Sequence, residues 1–389
     1  MGAILGRRRW RYLSMGGVAA LVVLAAACSA SSAPGSAASR PAAHARPPFL
    51  TRFHSVRQIA STVPSNGDVN PYGVAVVPHT AGRLVGGDTL VSNFNNTANV
   101  QGTGTTIAEI SPGGARRTFA RIRSLPASHP CPGGVGLTTA LDVLPGGWVV
   151  VGSLPTSKDG TLPAVNPTGC LIVLNSAGNV VTTWSNPDIN GPWDMTMQAT
   201  ASGADLFLAN VLSRPAGASS APPPAGLCTV VRIDVALHDG QQPAVTSTTV
   251  IGSGFPWQQN KAALIQGPTG LALGRNGTLY VAETVTSSIG RIPGAGTRAT
   301  AVTAGTDTLT KGGSLNGPLG LTSVPGGDLV AVNGNDGNAV EVSPQGKQVA
   351  TVTLVRNGAG DLFGIAPVAD GHGLLFVNDG TNALEISAA

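Results

Sequence analysis

The chain has 389 residues, with 53 Gly, 29 Pro and only 11% charged residues. This composition predicts many turns and excludes an extensive helical bundle, whose solvent faces need Lys, Glu and Arg. A hydrophobic content of 42% excludes wholesale disorder. The net charge of +4 comes from the N-terminus. Seven of the 23 Lys and Arg residues lie at or before Arg52, where no Asp or Glu occurs, so the rest of the chain has 16 basic and 19 acidic residues. The body has no excess of positive charge to neutralise phosphates, which excludes nucleic acid as a predicted partner.

The N-terminus has the features of an export signal. Residues 1–27 begin with a basic stretch and continue into an apolar run, 16–27, that is too short to span a membrane comfortably. Cys28 follows Leu24 and three alanines, which resembles a bacterial lipobox, although the alanines equally fit ordinary signal peptidase. Residues 28–52 are rich in Ala, Ser and Pro and are predicted to form a flexible tether. We therefore expect an exported protein, lipid-anchored through Cys28 or secreted, with the Sec and twin-arginine routes both open.

A pattern of apolar strand, Gly-rich turn and second apolar strand recurs six times beyond the tether. The clearest copy is GPTGLALGRNGTLYVAETVTSSIGRIP at 267–293. The six copies are aligned on Gly73, Ala140, Asp194, Gly270, Gly320 and Gly364. A repeat of this length predicts an all-β, six-bladed β-propeller with four-stranded blades, formed as one domain by residues 53–389. The last copy has only three strands, and the strand-like stretch 53–63 is predicted to complete it and close the ring.

Five β-branched runs are predicted as the outer, fourth strands of the first five blades. They are TFARI (118–122), VVTTWS (180–185), TSTTVIGS (246–253), RATAVTAG (298–305) and QVATVTLV (348–355). Their composition suits pleated, partly exposed strands.

The segment GLALGRNGTLYVAETVTSSIGRI resembles the repeat of the NHL family. This resemblance implies a six-bladed propeller over residues 53–389. It leaves the activity open, because that family includes binding scaffolds as well as lyases and lactonase-like hydrolases. The usual Asp after the second strand is Glu283 in the fourth copy, Asn333 in the fifth and Asn378 in the sixth.

Candidate ligand-binding residues lie on one face of the predicted propeller. This face carries the loops between second and third strands and the connections between blades, and we call it the loop face. Its amides and rings suit neutral polar ligands such as glycans, peptides or proteins. The candidates are Asn93, Asn95, Trp193, Asp194, Trp257, Glu283, Asn333 and Asn378. The structural alternative is that Asn and Gly make turns while the aromatic residues plug the channel.

An enzyme is the second functional class. Lactonase-like propellers use a central metal held by carboxylates and Asn, and streptogramin-lyase-like propellers use a His. Oxygen ligands for Ca²⁺ or Mg²⁺ are available from Asp194, Glu283, Asp336 and Asp379 on the loop face. No nucleophile elbow, phosphate-binding loop or dinucleotide fingerprint occurs, so no catalytic residue is assigned and no cofactor is firmly predicted. We favour a monomeric binding module that acts through its loop-face loops, with a metal-assisted hydrolase or lyase as the alternative.

The cysteines fit an oxidising compartment. With Cys28 set aside as a lipid anchor, three cysteines remain in the body. Cys131 precedes the first strand of the second copy and Cys170 opens its third strand, so these two are predicted to pair. Cys228 opens the matching strand of the next copy, which makes Cys170 to Cys228 the rival pairing.

Overall fold

The structure is a computed structural model that describes residues 47–163, 168–212, 228–260, 263–368 and 370–389. The predicted signal peptide and Cys28 lie outside the described residues. No helix among the described residues is long and apolar enough to cross a membrane.

The described residues form the predicted six-bladed β-propeller. Each blade is an antiparallel sheet of four strands in meander order, and the first strand of each blade contacts the first strands of its two neighbours around a central channel. The ring is closed by β1 (Ser55–Ser61), which pairs with the third strand of blade 6 from Ser55 opposite Ala388 to Ser61 opposite Ala383. The predicted closure by 53–63 is confirmed, and it removes the exposed edge that a three-stranded last blade would leave.

The blades follow one another along the chain. Blade 1 contains β2 (Val69–Val76), β3 (Thr89–Asn95), β4 (Thr106–Ile110) and β5 (Arg116–Arg121). Blade 2 contains β6 (Leu141–Leu144), β7 (Trp148–Ser153), β8 (Cys170–Leu174) and β9 (Val180–Trp184). Blade 3 contains β10 (Pro192–Thr200), β11 (Gly203–Asn210), β12 (Cys228–Ala236) and β13 (Ala244–Phe255), and a two-stranded hairpin follows it, β14 (Gln258–Asn260) and β15 (Leu264–Gln266).

The second half of the ring repeats the arrangement. Blade 4 contains β16 (Pro268–Leu273), β17 (Leu279–Glu283), β18 (Ser288–Ile292) and β20 (Thr308–Lys311), with a 3-10 turn at Thr284–Thr286 and the short β19 (Val302–Thr303). Blade 5 contains β21 (Pro318–Ser323), β22 (Leu329–Asn333), β23 (Asn338–Val342) and β24 (Gln348–Thr353). Blade 6 contains β25 (Leu362–Pro367), β26 (Gly373–Asn378) and β27 (Ala383–Ala388), with β1 as its outer strand.

One predicted outer strand is wrong. The run 298–305 does not form the fourth strand of blade 4, because β20 occupies that edge against β18, with Ser288 opposite Lys311. Within the run, β19 instead pairs in parallel with β13 of blade 3. A β-branched run favours strand geometry, but the strand with which it pairs depends on which sheet edge is free in the fold.

At four of the six aligned positions, the first strands approach one another so closely that glycine is required. A Cβ on Gly320 would lie 2.2 Å from the carbonyl oxygen of Phe363, and a Cβ on Gly364 would lie 2.0 Å from that of Tyr72. Both contacts join one blade to the next, so the glycines aligned in the sequence are positions of blade-to-blade packing. In blade 3 the aligned residue is Asp194, whose side chain instead accepts the backbone N–H of Leu271 in blade 4 at 2.7 Å.

The folded unit begins at Pro47, inside the predicted tether. Phe49 and Leu50 are buried against blades 5 and 6, and their backbone N–H groups donate to the two carboxylate oxygens of Glu341 at 2.7 and 2.8 Å. We call residues 47–54 the N-terminal strap. The composition around the strap is typical of a linker, and its apolar contacts with blades 5 and 6 and its hydrogen bonds to Glu341 make it part of the domain.

Cys131 and Cys170 form a disulfide, with their Cα atoms 5.4 Å apart. Cys228 is buried, and its thiol donates to the carbonyl of Val211. The disulfide joins the segment that precedes blade 2 to the third strand of that blade.

Candidate ligand site in the central channel

The first strands of the blades line a cavity of about 270 Å³ on the ring axis. Solvent exposure along these strands increases away from the loop face: in β10, for example, Trp193 is buried, Asp194 and Thr196 are half-buried, and the strand ends exposed. The cavity therefore opens on the opposite face, which carries the turns between first and second strands and which we call the turn face.

The channel is closed toward the loop face by packed aromatic residues. Tyr72 lies edge-on to Trp193 at a centroid distance of 5.5 Å and stacks on Phe363 at 4.9 Å. The indole N–H of Trp193 donates to the Tyr72 hydroxyl at 2.5 Å. These three residues and Leu319, all buried in one cluster, form what we call the aromatic plug. Burial and the nearby Asp194 carboxylate raise the Tyr72 pKa well above its ordinary value, so its hydroxyl stays protonated.

The hairpin that connects blades 3 and 4 adds a second layer to this closure. Ala263 and Ile265 belong to the same buried cluster as the aromatic plug, and Leu264 and the half-buried Trp257 pack against it. The predicted ligand residues Trp193 and Trp257 therefore contribute to closing the channel. Their positions match the structural alternative, in which aromatic residues plug the channel.

Two carboxylates line the channel on the turn-face side of the plug. One Asp142 oxygen accepts the backbone N–H of Val143 at 2.7 Å, and Asp194 accepts the N–H of Leu271. The pKa of each is raised to about 7, because burial raises it more than the backbone N–H groups lower it; at Asp194 the Asp142 charge contributes a smaller part of the rise. Of the described residues that line the channel, none is Lys, Arg or His. The other side chains of the lining are mostly apolar, with hydroxyls at Thr196, Thr269 and Thr322, and polar atoms supply about half of the exposed cavity surface.

The predicted amide ligands are occupied in holding the loop face together. Asn93 and Asn333 each lie at or near the end of a second strand and bind the segment that enters their own blade. The amide of Asn93 donates to the carbonyl of Thr62 at 2.9 Å, and that of Asn333 donates to the carbonyl of Ser314 at 2.8 Å. Both asparagines are fully buried. The recurrence of Asn at the ends of these second strands reflects this shared contact with the entering backbone.

The other two predicted amides each bond within their own pair of second and third strands and the loop between them. Asn95 donates to Asn99 at 2.7 Å, and Asn378 donates to the Glu385 carboxylate at 3.1 Å. Neither lines the central channel.

The four predicted metal ligands are not brought together. Asp194 lies in the channel, whereas Glu283 accepts hydroxyl protons from Thr286 and Ser288 at 3.2 and 3.3 Å. Asp336 accepts a hydrogen bond from Asn316, and burial, with the charge of neighbouring Asp361, raises the Asp379 pKa to about 7. No group of three or more His, Cys, Asp or Glu side chains among the described residues could hold a metal ion. Glu283, Asp336 and Asp379 lie toward the loop face but not around one point, and Asp194 lies apart from them in the channel.

Asp142 is the channel residue that the sequence analysis missed. It lies two positions beyond Ala140, the aligned residue of the second copy, in the apolar segment ALDVLPGG. A carboxylate that interrupts an otherwise apolar inner strand indicates a residue facing the channel. The neighbouring packing surfaces are apolar, so only the channel can provide water to the carboxylate.

Comparisons with known proteins show the fold alone. No family model matches the chain, and no curated protein matches it in sequence. A gluconolactonase from Xanthomonas campestris superimposes with a TM-score of 0.53 at 13% identity, covering 88% of this chain and 94% of that one. A calcium-binding regucalcin from Agrobacterium tumefaciens gives 0.52 at 12% identity, with 87% and 94% covered. A putative gluconolactonase gives 0.50 at 15% identity, with 88% and 96% covered. The chain is thus a six-bladed β-propeller similar in fold to these proteins.

Proposed function

We propose that this protein is an exported propeller that binds a small ligand in its central channel, entered from the turn face. The observation that carries the proposal is the 270 Å³ cavity containing Asp142 and Asp194. A concave cavity in which a few convergent polar groups lie among apolar side chains is the usual form of a small-molecule site. The export signal and the lipobox-like Cys28, both read from the sequence, would place this function at the cell envelope.

This proposal moves the site away from the loop face. A glycan or peptide bound by the loop-face loops would meet amides that already bind the backbone, and a channel that the aromatic plug closes. A ligand that enters from the turn face meets two carboxylates without a cationic side chain beside them.

A variant pair tests the location of the site. Thr322→Trp places an indole in the channel from a half-buried position near its open end, whereas Ala98→Trp adds the same bulk at an exposed position on the loop face. Benzylamine, benzyl alcohol and benzoate are titrated into each protein by calorimetry. We expect binding of at least one probe by the wild type and by Ala98→Trp, and its loss in Thr322→Trp. Binding that Ala98→Trp abolishes and Thr322→Trp retains would contradict the channel site.

A second candidate function is a hydrolase or lyase that uses the same two carboxyls. Groups with a pKa of about 7 can donate and accept protons near neutral pH, which is what general acid–base catalysis requires. Because proteins of similar fold are gluconolactonases, the test is δ-gluconolactone hydrolysis by the wild type and by Asp142→Asn and Asp194→Asn. Turnover above the uncatalysed rate that both substitutions abolish would favour the enzyme, whereas binding without turnover favours the binding protein.

A further inference from the structure

A second cavity lies beside the open end of the channel. It has a volume of about 230 Å³ and lies between blades 6 and 1. We call it the side pocket. Its apolar lining includes Ile59, Val76, Val368, Leu375, Leu384 and Ile386.

The side pocket and the channel are neighbours. Val76, near the end of the first strand of blade 1, lines both cavities. On the blade 6 side, Pro367 lines the channel and the next residue, Val368, lines the side pocket. A single ligand on the turn face can therefore contact both.

The two cavities differ in chemistry. The channel holds the carboxylates of Asp142 and Asp194, neither of which forms an ion pair among the described residues. The side pocket is lined mainly by aliphatic side chains, and its exposed mouth carries one charge of each sign, Arg57 and Asp370. Charge complementarity therefore favours a cation in the channel, and hydrophobic burial favours an apolar group in the side pocket.

We propose that the ligand is a small cationic amphiphile, which places a protonated amine against Asp142 and Asp194 and an aliphatic tail in the side pocket. This inference rests on the proposed channel site and names its ligand class. The amine would supply a positive charge opposite the two carboxylates, which have no cationic side chain beside them. The tail would cover the aliphatic surface of the side pocket between blades 6 and 1. Neither a sugar nor an anion satisfies both cavities.

The experiment compares probes that differ in one part at a time. Octylamine, octanol, octanoate and propylamine are titrated into the full folded domain by calorimetry at pH 8, where an alkylamine is protonated. We expect octylamine to bind at least tenfold more tightly than octanol and octanoate, because its charge meets the carboxylates. We also expect it to bind more tightly than propylamine, whose tail is too short for the side pocket.

Two variants assign the two contacts. The double variant Asp142→Asn with Asp194→Asn keeps the side-chain shapes and is expected to lower octylamine affinity at least tenfold while leaving octanol affinity within twofold. Val368→Trp fills the side pocket from a half-buried position and is expected to reduce the preference for octylamine over propylamine. Near-ultraviolet circular dichroism on both variants verifies that they are folded.

The outcomes separate this inference from the proposed function. If octanoate or octanol equals octylamine, or if Val368→Trp leaves the chain-length preference unchanged, the cationic-amphiphile assignment is wrong. If those probes still lose binding in Thr322→Trp, the channel site survives this failure. If none of the alkyl or benzyl probes binds in a manner sensitive to Thr322→Trp, the channel site fails and the ligand class fails with it.

Discussion

Replacing Asp142 by Asn should stabilise the protein, and should do so only above acidic pH. Burial raises the pKa of this carboxyl from 3.8 to about 7. Between these values the unfolded chain releases the proton and the folded chain retains it, so the wild type loses stability as the pH rises from about 4 to 7. Asn does not titrate, and its side-chain oxygen can still accept the N–H of Val143.

The magnitude follows from the shift. Three pKa units at about 1.4 kcal/mol each give about 4 kcal/mol, absent below pH 4 and complete above pH 7. This figure is an upper limit, because the channel admits water and Asp142 is half-buried. The gain of the variant over the wild type should therefore increase by up to about 1.4 kcal/mol per pH unit across this window.

Urea unfolding followed by tryptophan fluorescence at several pH values from 4 to 8.5 measures this difference. Asp239→Asn is the matched control, because it removes the same charge from an exposed turn. Equal urea m-values for wild type and variant would establish that the compactness of the unfolded state is unchanged. A stability difference that is constant with pH, or that decreases as the pH rises, would refute the reasoning.

Three further predictions concern the architecture. Glu341→Gln leaves one strap N–H without its carboxylate partner and should lower the free energy of urea unfolding by about 1–3 kcal/mol. Proteolysis within residues 47–54 should be faster, and an unchanged rate would contradict the role of Glu341 in holding the strap. Gly320→Ala should cost about 1–3 kcal/mol because its Cβ meets the next blade, whereas Gly113→Ala, with its nearest atom at 3.8 Å, should change stability by less than about 0.5 kcal/mol; equal effects would argue against the blade contact. Non-reducing peptide mapping should recover a Cys131–Cys170 peptide, and reduction should cost about 4 kcal/mol for a link between residues 39 positions apart; a Cys170–Cys228 peptide would support the rival pairing.

The blades could be predicted from the sequence because their determinants are local. In blade 4 the Asn-Gly turn before β17 places Gly277 at a φ of +73°, a conformation that glycine adopts without strain, and the flanking apolar runs pair as the repeat indicates. The closing strand was also readable, because a last copy with three strands leaves an edge that needs a partner. The prediction for the run 298–305 was wrong because the partner of an outer strand depends on which sheet edge is open in the folded protein, and the local sequence does not show this.

The position of the candidate site was not readable from the repeat. Trp193 and Tyr72 are 121 residues apart, and their contact exists only when blades 1 and 3 face the same axis. Strand alternation distinguishes the two sides of a sheet, but not which loops of a propeller remain open. The asparagines at the ends of the second strands resembled free ligand groups in the sequence. Their partners, the carbonyl groups of Thr62 and Ser314, belong to the segments that enter the blades and are distant in sequence.

The sequence by itself determined the number of blades, the strand order and the closure of the ring, because turn residues and alternating strands act over a few residues and repeat six times. Only the tertiary structure decided which end of the channel is open, that Asp142 and Asp194 share it, and that the side pocket adjoins it. Those features depend on side chains from different blades meeting at one axis, where packing closes the loop face with aromatic rings and burial raises the pKa of two carboxyls to about 7.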